Sequence, residues 1–167
     1  MARKRTRAQP SACDATQAST GSRRTQLERQ CRELEALWRA CFENSGTAMV
    51  LVEDDCTISR SNAEFRRLAA CPTEEIDGRA KWTEFVAAED LDRMRRYHDT
   101  RRRVESGIPT SYEFAFVARD GNRKQIHLVV DLIPGSRRSI ASLIDVTRQK
   151  QAGEFIEPLL QHLNENG

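Results

Sequence analysis

The sequence lacks a long apolar segment, and this absence bounds the classes of protein that it can encode. Every apolar run is far shorter than the roughly 20 residues that a membrane-spanning helix requires. The basic start of the chain, residues 1–7, is not followed by the apolar stretch of a secretory signal. We therefore expect a cytoplasmic protein without a membrane span.

The chain also lacks the cysteine spacing of a disulfide framework or a zinc site. Its five cysteines are an odd number and include no Cys-x-x-Cys pair. They are Cys13, Cys31, Cys41, Cys56 and Cys71. We expect free thiols and no bound metal.

Recognisable catalytic motifs are missing as well. No Ser, Cys or Lys nucleophile stands at a motif spacing from a His and a carboxylate, and no glycine-rich loop resembles a phosphate cradle. The acidic residues that stand at predicted turns have the ordinary role of caps and turn residues. These residues are Asp54, Asp55, Glu89, Asp90, Asp120 and Asp131. We expect no catalytic residues and no enzymatic activity in this chain.

What the chain does contain is the composition of a soluble globular protein with an uneven distribution of charge. Its 167 residues, 38% hydrophobic and 31% charged, suffice for one domain with a modest core and flanking helices. Residues 1–24 carry six basic side chains and one acidic, a net charge of +5, which leaves −3 for the remainder. This segment has little to bury and no interleaved aromatics, so it predicts a disordered basic tail without a nucleic-acid partner.

Residues 25–41 have the periodicity of an amphipathic helix. Apolar residues recur there at spacings of three and four and form one stripe. The stripe would cover either the outer face of its own sheet or the same helix in a second subunit, and we expect a homodimer. The candidate dimer residues are Leu27, Leu34, Leu37 and Trp38.

The stretch from Ser111 to Thr147 predicts three antiparallel strands in sequence order. The turn at Asp120 and Gly121 is a strong hairpin signal, since glycine reaches positive φ without steric cost. The second run ends at Leu132, and the third closes on Asp145-Val146-Thr147. Asp145 or Thr147 can accept from the free N–H groups of a following helix, so the meander leads directly into a helix cap.

Together with the segments upstream, these residues resemble the PAS family of sensory domains. The order and spacing of the segments carry the resemblance, which covers residues 42–150. The segments are the opening 42–48, a first strand and turn 49–55, a second strand and helix start 58–65, a helix and glycine turn 73–79, the Ala88-Glu89-Asp90 turn, and Asp145-Val146-Thr147 as a variant of the Asp-Ile-Thr motif. The resemblance implies an α+β fold over residues 42–147: a five-stranded antiparallel sheet with short helices and one long helix on one face, preceded by the N-terminal helix.

The resemblance also implies an interior cavity between the long helix, here residues 87–107, and the sheet. A small ligand or a partner would bind there. The candidate pocket residues are Leu68, Trp82, Phe85, Met94, Tyr97, Phe114, Phe116, Leu128 and Val130. The alternative is that these side chains simply fill the core of a ligand-free scaffold that dimerises or docks a protein.

The cofactors of PAS relatives can be compared with the residues present. Relatives that bind flavin carry a reactive cysteine after the glycine turn, whereas here Gly78-Arg79 is followed by Ala80-Lys81-Trp82-Thr83, so flavin is not expected. Relatives that bind haem ligate iron through a histidine on the long helix. His98 is therefore the candidate ligand of a further alternative, a haem-based redox or gas sensor.

In the family, the Asp-Ile-Thr motif couples the last strand to a signalling helix. Asp145 and Thr147 are accordingly the candidate relay residues, and residues 148–167 are the expected start of that helix or a linker. Gly153 and Pro158 interrupt its helical pattern, and a proline in a helix interior costs about 3 kcal/mol. We expect a sensory, N-terminal part of a bacterial or archaeal two-component protein whose output domain, most simply a histidine kinase, follows.

Overall fold

The computed structural model of the chain describes residues 12–103 and 107–153, and of residues 12–22 the backbone alone. The chain divides between Cys41 and Phe42 into two compact units. None of the helices in these ranges combines the length and the apolar character needed to cross a membrane.

The N-terminal helix, α1, is longer than predicted and spans Ala12–Glu43. The predicted disordered tail is therefore wrong over residues 12–24, while residues 1–11 lie outside the described residues. No proline follows Pro10 in this stretch, and adding residues to an existing helix costs far less than nucleating one. The four predicted dimer residues are exposed: Leu27, Leu34, Leu37 and Trp38.

The second unit is built on a five-stranded antiparallel sheet, which confirms the predicted fold class. Its spatial order is β2-β1-β5-β4-β3, so the last strand of the chain lies in the centre between β1 and β4. The strands are β1 (Ala48–Val52), β2 (Ile58–Ser61), β3 (Ser111–Val117), β4 (Arg123–Leu132) and β5 (Ser139–Asp145).

The predicted meander β3-β4-β5 is confirmed, and its first turn has the expected chemistry. Gly121 has a φ of +83°, which glycine adopts without strain. The backbone N–H of Asn122 donates to the Asp120 carboxylate over 3.0 Å. The Ala118 N–H donates to the Asn122 carbonyl over 2.9 Å, and this bond closes the hairpin.

The helices between β2 and β3 are short except for the last. They are α2 (Ala63–Ala69), α3 (Thr73–Ile76), a 3₁₀ turn (Trp82–Phe85) and α4 (Ala88–Arg101). Asn62 caps α2, since its side-chain oxygen accepts from the N–H of Phe65, and the same oxygen accepts from Met49 of β1.

The long helix α4 ends at Arg101 and not near Gly107, as the sequence had predicted. The Arg102 N–H donates to the Asp99 carbonyl and the Arg103 N–H to the Thr100 carbonyl, so the last turn tightens and the helix stops. Gly107 instead has a φ of +90° in the connection that follows.

Candidate functional site

A cavity of about 60 Å³ lies in the core between α4 and the inner face of the sheet. Its walls come from β1, β3, β4 and β5 on one side, and from α2, the 3₁₀ turn and α4 on the other. Six of the nine predicted pocket residues line it, and these are Trp82, Phe85, Met94, Phe114, Leu128 and Val130.

Three predicted pocket residues lie elsewhere. Phe116 is 1% exposed and packs against Phe85, with parallel rings 5.7 Å apart. Tyr97 packs edge-on against Tyr112 at 5.1 Å between centroids, and Leu68 is buried outside the cavity wall. These side chains fill space between elements and leave none for a ligand.

Several lining residues were missed by the sequence analysis. The aliphatic ones were recoverable, because Val50 and Val52 stand two apart on β1, as do Ala141 and Leu143 on β5, and alternate residues of a strand share a face. The remaining ones are Phe65, Val86, His98, Arg101, Tyr112 and Ser139. These residues line the cavity because of the way the helices pack onto the sheet, and sequence periodicity does not predict that packing.

One end of the cavity is polar, and His98 lies there. Its Nε2 is 3.0 Å from the Asp54 carbonyl oxygen. Because a carbonyl only accepts, Nε2 carries the proton and donates. Burial lowers the pKa of His98, although the bond to Asp54 opposes this, so the imidazole is neutral at physiological pH. The Trp82 ring lies against the imidazole, with 5.5 Å between centroids.

This geometry does not fit a haem or a flavin. The ring nitrogen Nε2 of His98 is engaged with Asp54. The cavity of about 60 Å³ is also far below the roughly 300 Å³ at which cofactor and drug-sized pockets begin. The surroundings of His98 therefore do not fit the predicted alternative of a haem ligand.

Behind the polar end, the buried guanidinium of Arg102 joins three parts of the chain. Its side chain is 2% exposed and lies 3.3 Å from the Asp54 carboxylate. It donates to the carbonyl of His98 at 2.9 Å, to that of Arg137 at 3.0 Å and to the Ser139 hydroxyl at 3.2 Å. Burial lowers the pKa of Arg102 and the Asp54 carboxylate opposes that shift. The network fixes the β1–β2 turn, the end of α4 and the β4–β5 loop to one another.

Two N–H groups in the cavity wall are buried without an acceptor among the described residues: Trp82 Nε1 and Arg101 Nε. Another nitrogen of Arg101, Nη2, donates to the Pro109 carbonyl over 2.6 Å. Burial raises the pKa of the Cys56 thiol while the Trp82 N–H acts weakly in the opposite direction, yet the two groups lack hydrogen-bond geometry. Native protein interiors leave few donors unpaired, so the unpaired N–H groups of Trp82 and Arg101 require an explanation.

The predicted relay residues lie where β5 ends and a helix begins at residue 147; residues 147–153 of this exit helix are described. The Asp145 carboxylate accepts from the Thr147 N–H at 3.0 Å and from its hydroxyl at 2.6 Å. Burial would raise the pKa of Asp145, but the Thr147 bonds outweigh it and the pKa lies below its usual value. The predicted break at Pro158 falls outside the described residues.

The junction is also tied to the neighbouring strands. The Thr147 hydroxyl oxygen accepts from the Gln125 N–H of β4 over 2.9 Å. Lys150 of the exit helix forms an ion pair with Glu113 of β3. Displacement of β3, β4 or β5 would therefore act on the start of the exit helix.

Comparison with known proteins identifies the fold. No family model matches the sequence. A PAS domain of an HTR-like protein from Haloarcula marismortui is 24% identical, with a TM-score of 0.56 over 72% of this chain and 98% of that one. A domain of a sensory box histidine kinase/response regulator from Geobacter sulfurreducens is 16% identical, with a TM-score of 0.52 over 67% and 94%.

A third similar structure is the PAS domain of a LuxR-family transcriptional regulator from Burkholderia thailandensis, solved in complex with ethanol. It is 14% identical, with a TM-score of 0.52 over 65% of this chain and 96% of that one. Identities this low establish the fold alone: the second unit of the chain has the PAS fold.

Proposed function

We propose that this domain is a signal-transduction module that binds a small molecule in its cavity and passes the change to the exit helix. One observation carries the proposal: β5 both lines the cavity and ends at the relay junction. Ser139, Ala141 and Leu143 face the cavity, and Asp145 follows two residues later. A ligand that shifts β5 would thus move the helix cap directly.

The size of the cavity limits the ligand and the strength of the signal. The ethanol complex of the Burkholderia thailandensis domain supports a ligand of this size in a PAS fold. Very small ligands bind with at most about 1.5 kcal/mol per non-hydrogen atom. Moving a two-state equilibrium from 1:99 to 99:1 takes about 5.5 kcal/mol of differential affinity. A ligand of three atoms could supply at most about 4.5 kcal/mol and one of four atoms about 6 kcal/mol. Only a ligand that used nearly all of its binding free energy to favour one state would produce a complete shift, so we expect a graded shift in the exit helix.

The exposed stripe on α1 supports a homodimer as part of this proposal. Leu37 is 61% exposed and Leu34 is 66% exposed, although both are large and apolar. A second copy of the helix would bury them and bring two exit helices into one assembly. An output domain after the exit helix, most simply a histidine kinase, would then read their orientation. In this proposal the module acts in the cytoplasm by binding, without catalysis.

The competing function is a ligand-free scaffold that only dimerises or docks a partner. The phenylalanine cluster around Phe116 favours that view for part of the core, because it is fully packed. The cavity and its unpaired donors distinguish the two functions, since a scaffold gains nothing from them.

Amide NMR of the 167-residue chain during titration with ethanol, and separately with acetate, tests the proposal. We expect shifts at cavity residues such as Ala141 and Leu128, and also at residues 147–153. Asp145→Ala should keep the cavity shifts and lose those of the exit helix. Asp131→Ala, an exposed carboxylate at the far end of β4, is the control. If the amide signals of the cavity residues shift in the unmodified chain while those of residues 147–153 do not, the relay is disproved.

A further inference from the structure

The polar groups of the cavity wall are predominantly hydrogen-bond donors. Trp82 and Arg101 can only donate, whereas His98, Tyr112 and Ser139 can both donate and accept, and the lining contains no Asp or Glu. Among the described residues, no carboxylate lies within ion-pair distance of Arg101, whereas Arg102 has Asp54. The cavity is thus an apolar space with one positively charged wall.

The two unpaired donors belong to side chains of this wall. Arg101 Nε and Trp82 Nε1 are both buried, and both side chains line the cavity. Leaving a buried donor without an acceptor is unfavourable, and more so when the group is charged. An anionic ligand with two acceptor oxygens would offer each of these donors a partner. A neutral apolar ligand would satisfy neither.

The volume sets the number of atoms. A cavity of roughly 150 Å³ accommodates benzene in a well-studied protein interior. The cavity here, about 60 Å³, corresponds to roughly two to four non-hydrogen atoms on that scale. The walls away from the donors are apolar, with Met94, Leu128 and Val130 among them. The space suits a short molecule with an acceptor at one end and a carbon at the other.

We infer that the cavity takes a small monocarboxylate of the size of acetate, with its carboxylate oxygens accepting from Trp82 Nε1–H and Arg101 Nε–H and its methyl group against the apolar wall. The inference rests on the proposed function, whose ligand it assigns to a chemical class. The carboxylate supplies acceptors to these two donors and neutralises the Arg101 charge. Acetamide has the same size and shape without the charge, so it provides the matched comparison.

Isothermal titration of the 167-residue chain with acetate and with acetamide measures this directly. A four-atom ligand binds at best with a dissociation constant on the order of tens of micromolar, so the titrations extend to millimolar concentrations. We expect acetate to bind about tenfold or more tightly than acetamide, as a charge-assisted hydrogen bond implies. Arg101→Met should weaken acetate binding about tenfold and leave acetamide unchanged. Arg95→Met, an exposed arginine of the same helix, is the control.

A second variant keeps the test decisive if Arg101→Met does not fold. Trp82→Phe keeps an aromatic ring and removes the N–H, and it should also weaken acetate binding severalfold. Equal affinities for acetate and acetamide, or unchanged acetate binding in Trp82→Phe, would overturn the inference. If the acetate inference fails in either way but acetamide or ethanol still shifts the amide NMR signals of the cavity residues, the proposed function stands. If none of the three ligands does, the proposed function fails as well.

Discussion

The two ends of the core rest on the same sheet but are filled in opposite ways. At one end, the Phe116 ring packs against Phe65 and Phe85, with centroids 5.7 to 6.2 Å apart. Phe65 and Phe85 form the border between the two ends, because both also line the cavity. At the other end, around His98 and Ser139, the side chains leave a cavity with unpaired donors. We call these the packed end and the cavity end. Their difference shows that side-chain volume decides which part of the space between the sheet and the helices stays open.

The central strand explains much of the contrast. Along β5 the inward side chains shrink from Leu143 to Ala141 to Ser139. Their neighbours on β4 are Leu128 opposite Leu143 and Val130 opposite Ala141. The sheet therefore presents progressively less volume toward Ser139, and the helices above do not close the gap. Close packing elsewhere makes such a void conspicuous.

The largest expected effect is at the packed end. Phe116→Ala should destabilise the protein by about 3 to 5 kcal/mol, since the ring is fully buried and its removal leaves a cavity. Phe114→Ala is the matched control, because that ring already borders the void and loses fewer contacts. Urea unfolding should give a loss at least about 1 kcal/mol smaller for Phe114→Ala. Equal losses would remove the distinction between the two ends.

The next effect concerns the network behind the cavity end. Arg102→Met should cost about 2 to 4 kcal/mol, because it leaves two carbonyls and the Ser139 hydroxyl without their buried donor. Arg137→Met, which removes the exposed partner of the same Asp54, should cost less than about 1 kcal/mol. Chemical denaturation measures both variants. A cost for Arg137→Met that matches Arg102→Met would show that the surface pair, and not the buried arginine, holds the network.

Filling the void should separate binding from stability. Ala141→Val adds two methyl groups at the cavity wall, and we expect the free energy of unfolding to change by less than about 1 kcal/mol while small-ligand binding is lost. Ala69→Val, at a fully buried site in α2, should instead cost about 1 to 3 kcal/mol through overpacking. Thermal melts and ligand titrations of the pair provide the measurement. Retained ligand binding in Ala141→Val would place the ligand elsewhere.

The smallest effect is a pH dependence from His98. Its pKa in the folded state is lowered by burial, so the unfolded chain binds the proton more readily. The stability from the neutral imidazole is present above the unfolded pKa of about 6.5 and is lost as pH falls below it. His98→Gln should flatten the pH dependence of the unfolding free energy in this range, which urea unfolding at a series of pH values measures. An unchanged slope in His98→Gln would mean that the imidazole is not held neutral.

The sequence predicted the sheet better than the cavity, and the reason is physical. Strand alternation and the Asp120-Gly121 turn are local, so the meander and its hairpin followed directly from them. The end of α4 was missed because Arg102 turns inward to acceptors that are distant in sequence. Phe116 was correctly predicted to lie on the inner face of β3, and for that reason it was assigned to the pocket. The packing of the helices on the sheet decides which inward residues border the cavity. The periodicity of the sequence does not contain that information.

A crystal structure of the chain soaked with acetate tests the central claim most directly, namely that the cavity end of the core is a ligand site. We predict density for acetate in the cavity, with carboxylate oxygens at hydrogen-bond distance, about 3 Å, from Trp82 Nε1 and Arg101 Nε, and none among Phe65, Phe85 and Phe116. Ordered water alone in the cavity, or a cavity closed by Met94 and Trp82, would contradict the account.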